Sequence, residues 1–192
     1  MMIRVLFKFA KLPSDAVVID TTSNSGDYKD LSPFVLSAPP AKRFENLWQF
    51  SKVYKKHIMS IDGYPDASWY KWRDWGYSQD KAYRYPMGKG AIPEYSLWDD
   101  KRLSYIEARK KIYAPIYAEN VFQTSAYEKL CQLYTECSDQ ATDLILLDYD
   151  AYDHLMLGMT LIDVINNPNK KMGHAFVLLM MLTDMLEVCL KR

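Results

Sequence analysis

The sequence predicts a single α+β domain, mainly α-helical, with a small β element at its N-terminus. Three observations carry that expectation. The chain has 192 residues, which suits one domain, and 49% of them are hydrophobic, enough to build a core. β-rich segments cluster before residue 23. From residue 97 onward the apolar positions recur at helical spacing.

Ile3–Phe9 (Ile-Arg-Val-Leu-Phe-Lys-Phe) alternates in part and reads as a strand, and Ala16–Thr22 reads as a second. Leu12-Pro13-Ser14-Asp15 between them is turn chemistry, so an N-terminal hairpin spanning 1–22 is expected. Thr21–Phe34 is a polar loop with neither period, and a compact domain rarely keeps so long a loop without using it. After Pro39-Pro40 a helix carrying Glu45 is expected to run to about His57. Residues 60–97 form an irregular insertion rich in Tyr, Trp, Gly and Pro. Within it Trp69, Trp72 and Trp75 recur every three residues, as in a short helical turn that either packs on the core or stacks on a ligand. Asp99–Tyr113 reads as a helix with Leu103, Ile106, Lys110 and Tyr113 along one side, and Pro115 should kink or break it. Ser125–Cys137 is a further helix with Ser125 as its cap. Asp143–Asp148 (Asp-Leu-Ile-Leu-Leu-Asp) is either a strand or a helix end. Leu155–Ile165 and Met172–Leu190 are the last helices, separated by the turn Asn166-Asn167-Pro168-Asn169.

Composition excludes several function classes. Twenty-four basic and 24 acidic residues cancel, so no global field favours nucleic acid or an anionic membrane, although a local basic patch is compatible with this balance. Cys131, Cys137 and Cys189 have no metal-ligand spacing and read as buried or inert thiols of a reducing cytoplasm. No secretion signal and no apolar run of about 20 residues is present. A Gly-rich phosphate loop, a nucleophile elbow and a Cys/His pairing are all lacking, which disfavours P-loop ATPases, serine hydrolases and dinucleotide-dependent dehydrogenases. Asp153-His154 hints at a metal, but only three histidines exist and none is paired at ligand spacing, so neither metal nor cofactor is expected. Aromatic content of 14%, with 15 Tyr and 5 Trp, suits core packing and also a cleft that holds a flat ring.

The most informative stretch is Phe44-Glu45-Asn46-Leu47-Trp48-Gln49-Phe50-Ser51-Lys52. Helical spacing stacks Glu45, Gln49 and Lys52 on one face, among aromatics that include Trp48. A carboxylate, an amide and an ammonium pointing one way can hold a polar ligand and move a proton; a charged surface helix would carry the same letters. Asp148-Tyr149-Asp150-Ala151-Tyr152-Asp153-His154 is a second acidic cluster. Its first member follows an apolar run, where a buried element hands a side chain to a cleft.

Three segments in this order resemble the NADAR superfamily of YbiA-like proteins. Ser25-Gly26-Asp27-Tyr28-Lys29-Asp30-Leu31-Ser32-Pro33-Phe34 is similar to the family's opening motif, with Pro33 in place of the usual asparagine. Glu45 to Lys52 is similar to Glu-His-x-x-Gln-x-x-Lys, with Asn46 where histidine is usual. Met172-Gly173-His174 leading into an apolar helix resembles the closing motif. Trp98 followed by Arg109 looks like the family's tryptophan-led helix with its arginine, and the 148–154 cluster occupies the place of its late aspartate. The family's Trp-Gly-x-Gly segment is not visible, and residues 60–95 are longer and more aromatic than usual, as in a divergent branch.

The resemblance implies N-glycosidase chemistry on a ribosylated or ADP-ribosylated nucleobase compound, as in hydrolysis of early riboflavin intermediates or removal of ADP-ribose from modified guanine. Such cleavage passes through an oxocarbenium-like ribosyl cation, which calls for a nearby carboxylate, an activated water and a donor to the leaving base. Glu45, Asp148 and Lys52 are the expected catalytic residues. Lys52 is expected to bind phosphate or protonate the base, and Gln49 to hydrogen-bond the base or a ribose hydroxyl. Asp27, Tyr28, Asp30 and Ser32 would line the pocket from the loop, with Trp48, Trp98 and Asp150. Arg109 would grip phosphate or pair with an acid such as Asp99 or Glu107, and His174, at a helix start that favours anions, would contact substrate or else pack in the core. A non-catalytic module binding a nucleotide or ADP-ribose, and an enzyme modifying a nucleic-acid base, are the alternatives. The size and make-up suit a small accessory protein of a phage or bacterium.

Overall fold

The computed structural model describes residues 1–192. Helix covers 41% and strand 13% of the chain, so the domain is α+β and mainly helical. In chain order the elements are β1 (Ile3–Phe7), β2 (Val17–Asp20), α1 (Phe44–Phe50), β3 (Lys52–Val53), α2 (Ala67–Ser78), β4 (Tyr95–Trp98), β5 (Lys101–Leu103), α3 (Tyr105–Ala108), α4 (Ala114–Val121), α5 (Ser125–Asp139), β6 (Leu144–Asp148), α6 (Leu161–Asn166), α7 (His174–Leu182) and α8 (Leu186–Lys191). No helix is long and apolar enough to cross a membrane.

The two N-terminal strands do not form the expected hairpin. Both pair in parallel with β6, giving the order β1-β6-β2, with Ile3 and Val17 each opposite Leu144. The reason lies in Leu144-Ile145-Leu146-Leu147, which is apolar at every position and buried on both faces. Such a run belongs at the centre of a parallel sheet, and the half-exposed strands belong at its edges. The 144–148 run is therefore a strand, and residues 8–16 carry the chain back from the end of β1 to the start of β2. Parallel pairing brings the carboxyl ends of β2 and β6 out side by side, and the crevice outside such ends is where open parallel sheets place their ligands.

α7 reads His-Ala-Phe-Val-Leu-Leu-Met-Met-Leu and is buried at every residue except Met181. A helix apolar all round belongs inside, and α7 packs between α4 and the β1–β6 sheet. α1 is buried along all seven residues, so its Glu45, Asn46 and Gln49 are polar groups inside the protein rather than a charged surface stripe. The helix stops at Phe50, earlier than the expected His57, and Lys52 lies on β3.

The second sheet, β3-β4-β5, is antiparallel and falls where the sequence reads as irregular or helical. Asp99 and Asp100 hold positive φ (48° and 57°) at the β4–β5 turn, so the helix expected from Asp99 begins instead at Tyr105, behind a Ser104–Glu107 capping box. It continues through a π-helical turn, Arg109–Tyr113, into α4. Pro115 stands in the first turn of α4, so the helix widens ahead of it rather than breaking. Thr124, not Ser125, caps α5: its Oγ1 accepts the Tyr127 N–H at 3.1 Å. The stretch from Leu155 becomes helical only at Leu161, and Asp184, at φ 56°, divides the expected Met172–Leu190 helix in two.

Trp69 and Trp72 of α2 pack inside the domain, while Trp75, beside the Phe50 ring, is 48% exposed. Trp69 is fully buried, and Trp72 lies 4.5 Å from the Phe50 ring and 5.0 Å from that of His57. Gly76 lets α1 and α2 touch here, since a Cβ on it would lie 2.1 Å from the Phe50 ring. Gly76→Ala is therefore expected to destabilise the domain by about 3 kcal/mol, the upper range for overpacking. Urea unfolding of the two proteins measures it.

Candidate active site

β6 ends in a buried carboxylate. Asp148 is 5% exposed, and its Oδ2 lies 3.0 Å from His174 Nδ1 at the start of α7. The other ring nitrogen of His174, Nε2, is 2.9 Å from the Thr21 carbonyl at the end of β2. A carbonyl only accepts, so Nε2 carries a proton; Nδ1, facing a carboxylate, carries the other. Below its raised pKa the ring is an imidazolium. Burial pulls the His174 pKa down, and the charge of Asp148 overrides it, so the net shift is upward. Burial pushes Asp148 up, and the imidazolium together with the N–H groups of Ala175 (3.3 Å) and Asp150 (3.4 Å) brings it below its ordinary 3.8. Gly173 makes the approach possible, because a Cβ there would sit 2.0 Å from Asp148 Oδ2.

α1 supplies the second buried carboxylate. Glu45 is 6% exposed, and burial raises its pKa above the ordinary 4.5 against the pull of Gln49, Lys52 and Arg84. Gln49 Nε2 donates to Glu45 Oε1 at 2.9 Å, and Lys52 Nζ donates to Gln49 Oε1 at 2.7 Å. The three residues of the sequence motif thus form a hydrogen-bonded line. Lys52 lies over the Trp48 ring at 4.8 Å, and burial lowers its pKa to about 8.

Glu45 stands where two cavities meet. The narrow one, about 280 Å³, is walled by Thr22, Asn24, Ser32, Tyr149, Asp148 and His174 among others. The wide one, about 430 Å³, is walled by Trp48, Gln49, Lys52, Tyr54, Tyr85 and Tyr105, with further cationic groups along its rim. Glu45, Arg84, Tyr113 and Asp150 border both. Arg84 donates to Asp150 Oδ2 at 2.8 Å, and Lys171 lies 3.7 Å from Asp150 Oδ1. Burial and the neighbouring Asp148 and Glu45 charges hold the Tyr113 phenol well above its ordinary 10, so it stays protonated and is a donor to whatever fills the cleft.

Of the residues singled out in the sequence, Ser32, Glu45, Trp48, Gln49, Lys52, Arg109, Asp148, Asp150 and His174 border this cleft. Arg109 does so with its guanidinium already engaged. It donates to the carbonyls of Val164 (3.4 Å), Ile165 (3.3 Å), Asn167 (2.7 Å) and Lys170 and to the Tyr105 hydroxyl (2.9 Å). This closes the carbonyl end of α6, and the expected pairing with Asp99 or Glu107 is not made. Four residues are not brought to the cleft. Asp27 is surface-exposed, 3.4 Å from Lys129; Tyr28 packs against the core; Asp30 lies beside Val35 and Asn120 in another depression; Trp98 joins Trp69 and Tyr77 in a separate one. The short 3₁₀ turn Lys29–Leu31 and the burial of Leu31 turn this part of the loop away. Its earlier residues, Thr22 to Asn24, face the cleft because they continue directly from β2.

Sequence reasoning missed Arg84, Tyr113 and Lys171. Tyr113 read as part of a packing stripe, and Arg84 lies in the irregular insertion without any period. One signal for Arg84 is Asn46. This fully buried amide donates to the carbonyls of Gln79 (3.4 Å) and Lys81 (2.9 Å) and accepts the Tyr83 N–H (2.8 Å), and so pins the segment that ends in Arg84.

No protein-family model, characterised protein or solved structure matches the chain.

The Asp148–His174 pair has a defined pH window. His174, with a raised pKa, contributes stability fully below 6.5 and loses it as pH climbs through the higher folded-state value. Asp148, with a lowered pKa, contributes fully above 3.8 and loses it as pH falls through the lower folded-state value. His174→Gln is expected to cost about 3 kcal/mol, the scale for breaking a buried pair. Urea unfolding across pH should show the largest gap from wild type between 3.8 and 6.5, narrowing on the alkaline side.

Proposed function

We propose that this chain is an N-glycosidase acting on a ribosylated or ADP-ribosylated nucleobase compound, and a divergent member of the NADAR superfamily. The observation that carries the reading is Glu45: a buried carboxylate with a raised pKa at the junction of two cavities, in line with Gln49 and Lys52. These are the three positions at which the sequence resembles the family's central motif.

The chemistry follows from the surroundings. Hydrolysis breaks the C1′–N bond, the base leaves with the electron pair, and positive charge develops on the ribosyl carbon. Glu45 carries a negative charge to that carbon and takes a proton from the water whose oxygen bonds to C1′. Lys52, an acid with a pKa of about 8, returns a proton to the departing base. Tyr113 and Ser32 are hydroxyls at the cleft wall, placed to orient ribose. Asp148 has both oxygens engaged by His174 and backbone N–H groups and acts by electrostatics and by holding the pocket open. The substrate is a small molecule or a modified base presented by a larger one, and the expected compartment is the cytoplasm.

A second reading, a non-catalytic module binding a nucleotide or ADP-ribose, draws on one observation. Asn46, where the family carries histidine, is turned into the scaffold with both ends of its amide bonded, so it offers nothing to a substrate. Tight binding without turnover in calorimetry and product analysis is the outcome that favours this second reading.

Chromatographic detection of free base, ribose phosphate or ADP-ribose from a panel of such compounds tests the enzyme. Glu45→Gln is expected to lower kcat by about 10²–10³-fold while the protein stays folded. No release by wild type, or equal rates in the variant, removes the proposal. The pH profile of kcat/KM gives a further check. It should fall below a carboxylate value higher than the ordinary 4.5, as Glu45 takes up a proton, and fall again above about 8, as Lys52 loses one. Lys52→Met should abolish the alkaline limb.

A further inference from the structure

The wide lobe of the cleft is cationic, although the chain as a whole is neutral. The wide lobe is lined by Lys52, Arg84, Lys89, Arg109 and Lys171 against Glu45 and Asp150, an excess of three positive charges. Arg84, Glu45 and Asp150 border both lobes, and the charges that only the narrow lobe holds, Asp148 and His174, offset each other. Much of the positive excess is already committed: Arg84 to Asp150, Arg109 to carbonyls, Lys52 to Gln49. Lys89 has no protein partner for its ammonium, and Lys171 has only a 3.7 Å contact with a carboxylate that Arg84 already holds.

The backbone around Lys89 is equally uncommitted. Gly88 and Gly90 hold φ of 92° and 90°, a conformation that glycine adopts without strain, and nothing lies within 4 Å of where a Cβ on either would be. The turn is closed by Gly88 N–H to Tyr85 and Ala91 N–H to Gly88. The N–H groups of Lys89 and Gly90 make no hydrogen bond within the protein. Free backbone donors beside a lysine on a glycine-flanked turn are what an anionic oxygen needs.

We propose that the Gly88-Lys89-Gly90 turn and Lys171 form a phosphate subsite on the rim of the wide lobe, which takes the phosphate end of the substrate. This rests on the glycosidase reading for orientation: the phosphate sits at the rim of the wide lobe and C1′ stops at Glu45, with the leaving base within reach of Lys52. The shared chemistry is a phosphate ester, whether the terminal group of a ribosyl phosphate or the diphosphate of an ADP-ribosyl group. The aromatic wall of Trp48, Tyr54, Tyr85 and Tyr105 is then free to hold the adenine of the larger ligand.

Calorimetry on the full chain with ribose, ribose 5-phosphate and ADP-ribose tests the assignment. The phosphorylated compounds should bind and ribose should not, with affinity falling as salt is raised. Lys89→Gln and Lys171→Gln should each weaken binding by about tenfold, the worth of one charge-assisted hydrogen bond. Preference for ADP-ribose over ribose 5-phosphate assigns the diphosphate; equal binding assigns the single phosphate. Ribose binding as tightly as its phosphate, no binding of either phosphate compound, or no effect of either lysine variant overturns the subsite. The two proposals fail separately. Lysine-dependent phosphate binding with no base released leaves the subsite and removes the glycosidase. Base release at the same kcat/KM from ribosides with and without phosphate leaves the glycosidase and removes the subsite.

Discussion

One buried ion pair organises the site. Asp148 at the end of β6 and His174 at the start of α7 are each almost fully enclosed, and His174 also donates to the end of β2. Three elements far apart in sequence are thereby tied at a single point. Burying two charges is costly, and the pair persists because both ring nitrogens and both carboxylate oxygens are satisfied. Gly173 is the steric condition for it, and the parallel sheet is the topological one: had β1 and β2 formed a hairpin, the carboxyl ends of β2 and β6 would not lie together.

The pair also sets the field in which Glu45 sits. Asp148 is neutralised by His174 and Asp150 by Arg84, so Glu45 remains the acid at the junction whose pKa burial drives upward. Its neighbour Lys52 is pushed the other way by the same burial. A carboxylate and an amine whose proton affinities are drawn toward each other can divide base and acid roles near neutral pH. Gln49 between them keeps their distance, accepting from one and donating to the other. The cationic character of the wide lobe then follows from the lysines and arginines that line its side of this junction.

Part of this arrangement was legible in the residues. Glu45, Gln49 and Lys52 share a face because their spacing is helical, and they still line up after the helix ends at Phe50, since Lys52 begins the next strand without a change of direction large enough to break the hydrogen-bonded row. Asp148 was legible as a polar residue at the end of an apolar run. The loop 21–34 was legible as a long polar connection, but which of its side chains face the cleft was not, because burial of Leu31 decides that. The β3-β4-β5 sheet was not legible at all. Its strands are two to four residues long, too short for an alternation to show, and β3 and β4 pack on Trp69, which clusters with Val53 and Leu97 and donates to the Lys52 carbonyl.

By itself the sequence determined the class, a mainly helical α+β domain, and the polar row of the Glu45 stretch, because both depend on periodicities of a few residues that local geometry imposes. Only the tertiary structure decided that β6 lies between β1 and β2, that Asp148 meets His174, and that Arg84, Tyr113 and Lys171 join Glu45 around one cleft. Those outcomes depend on which apolar surfaces bury one another across the whole chain, and local spacing holds no record of that competition.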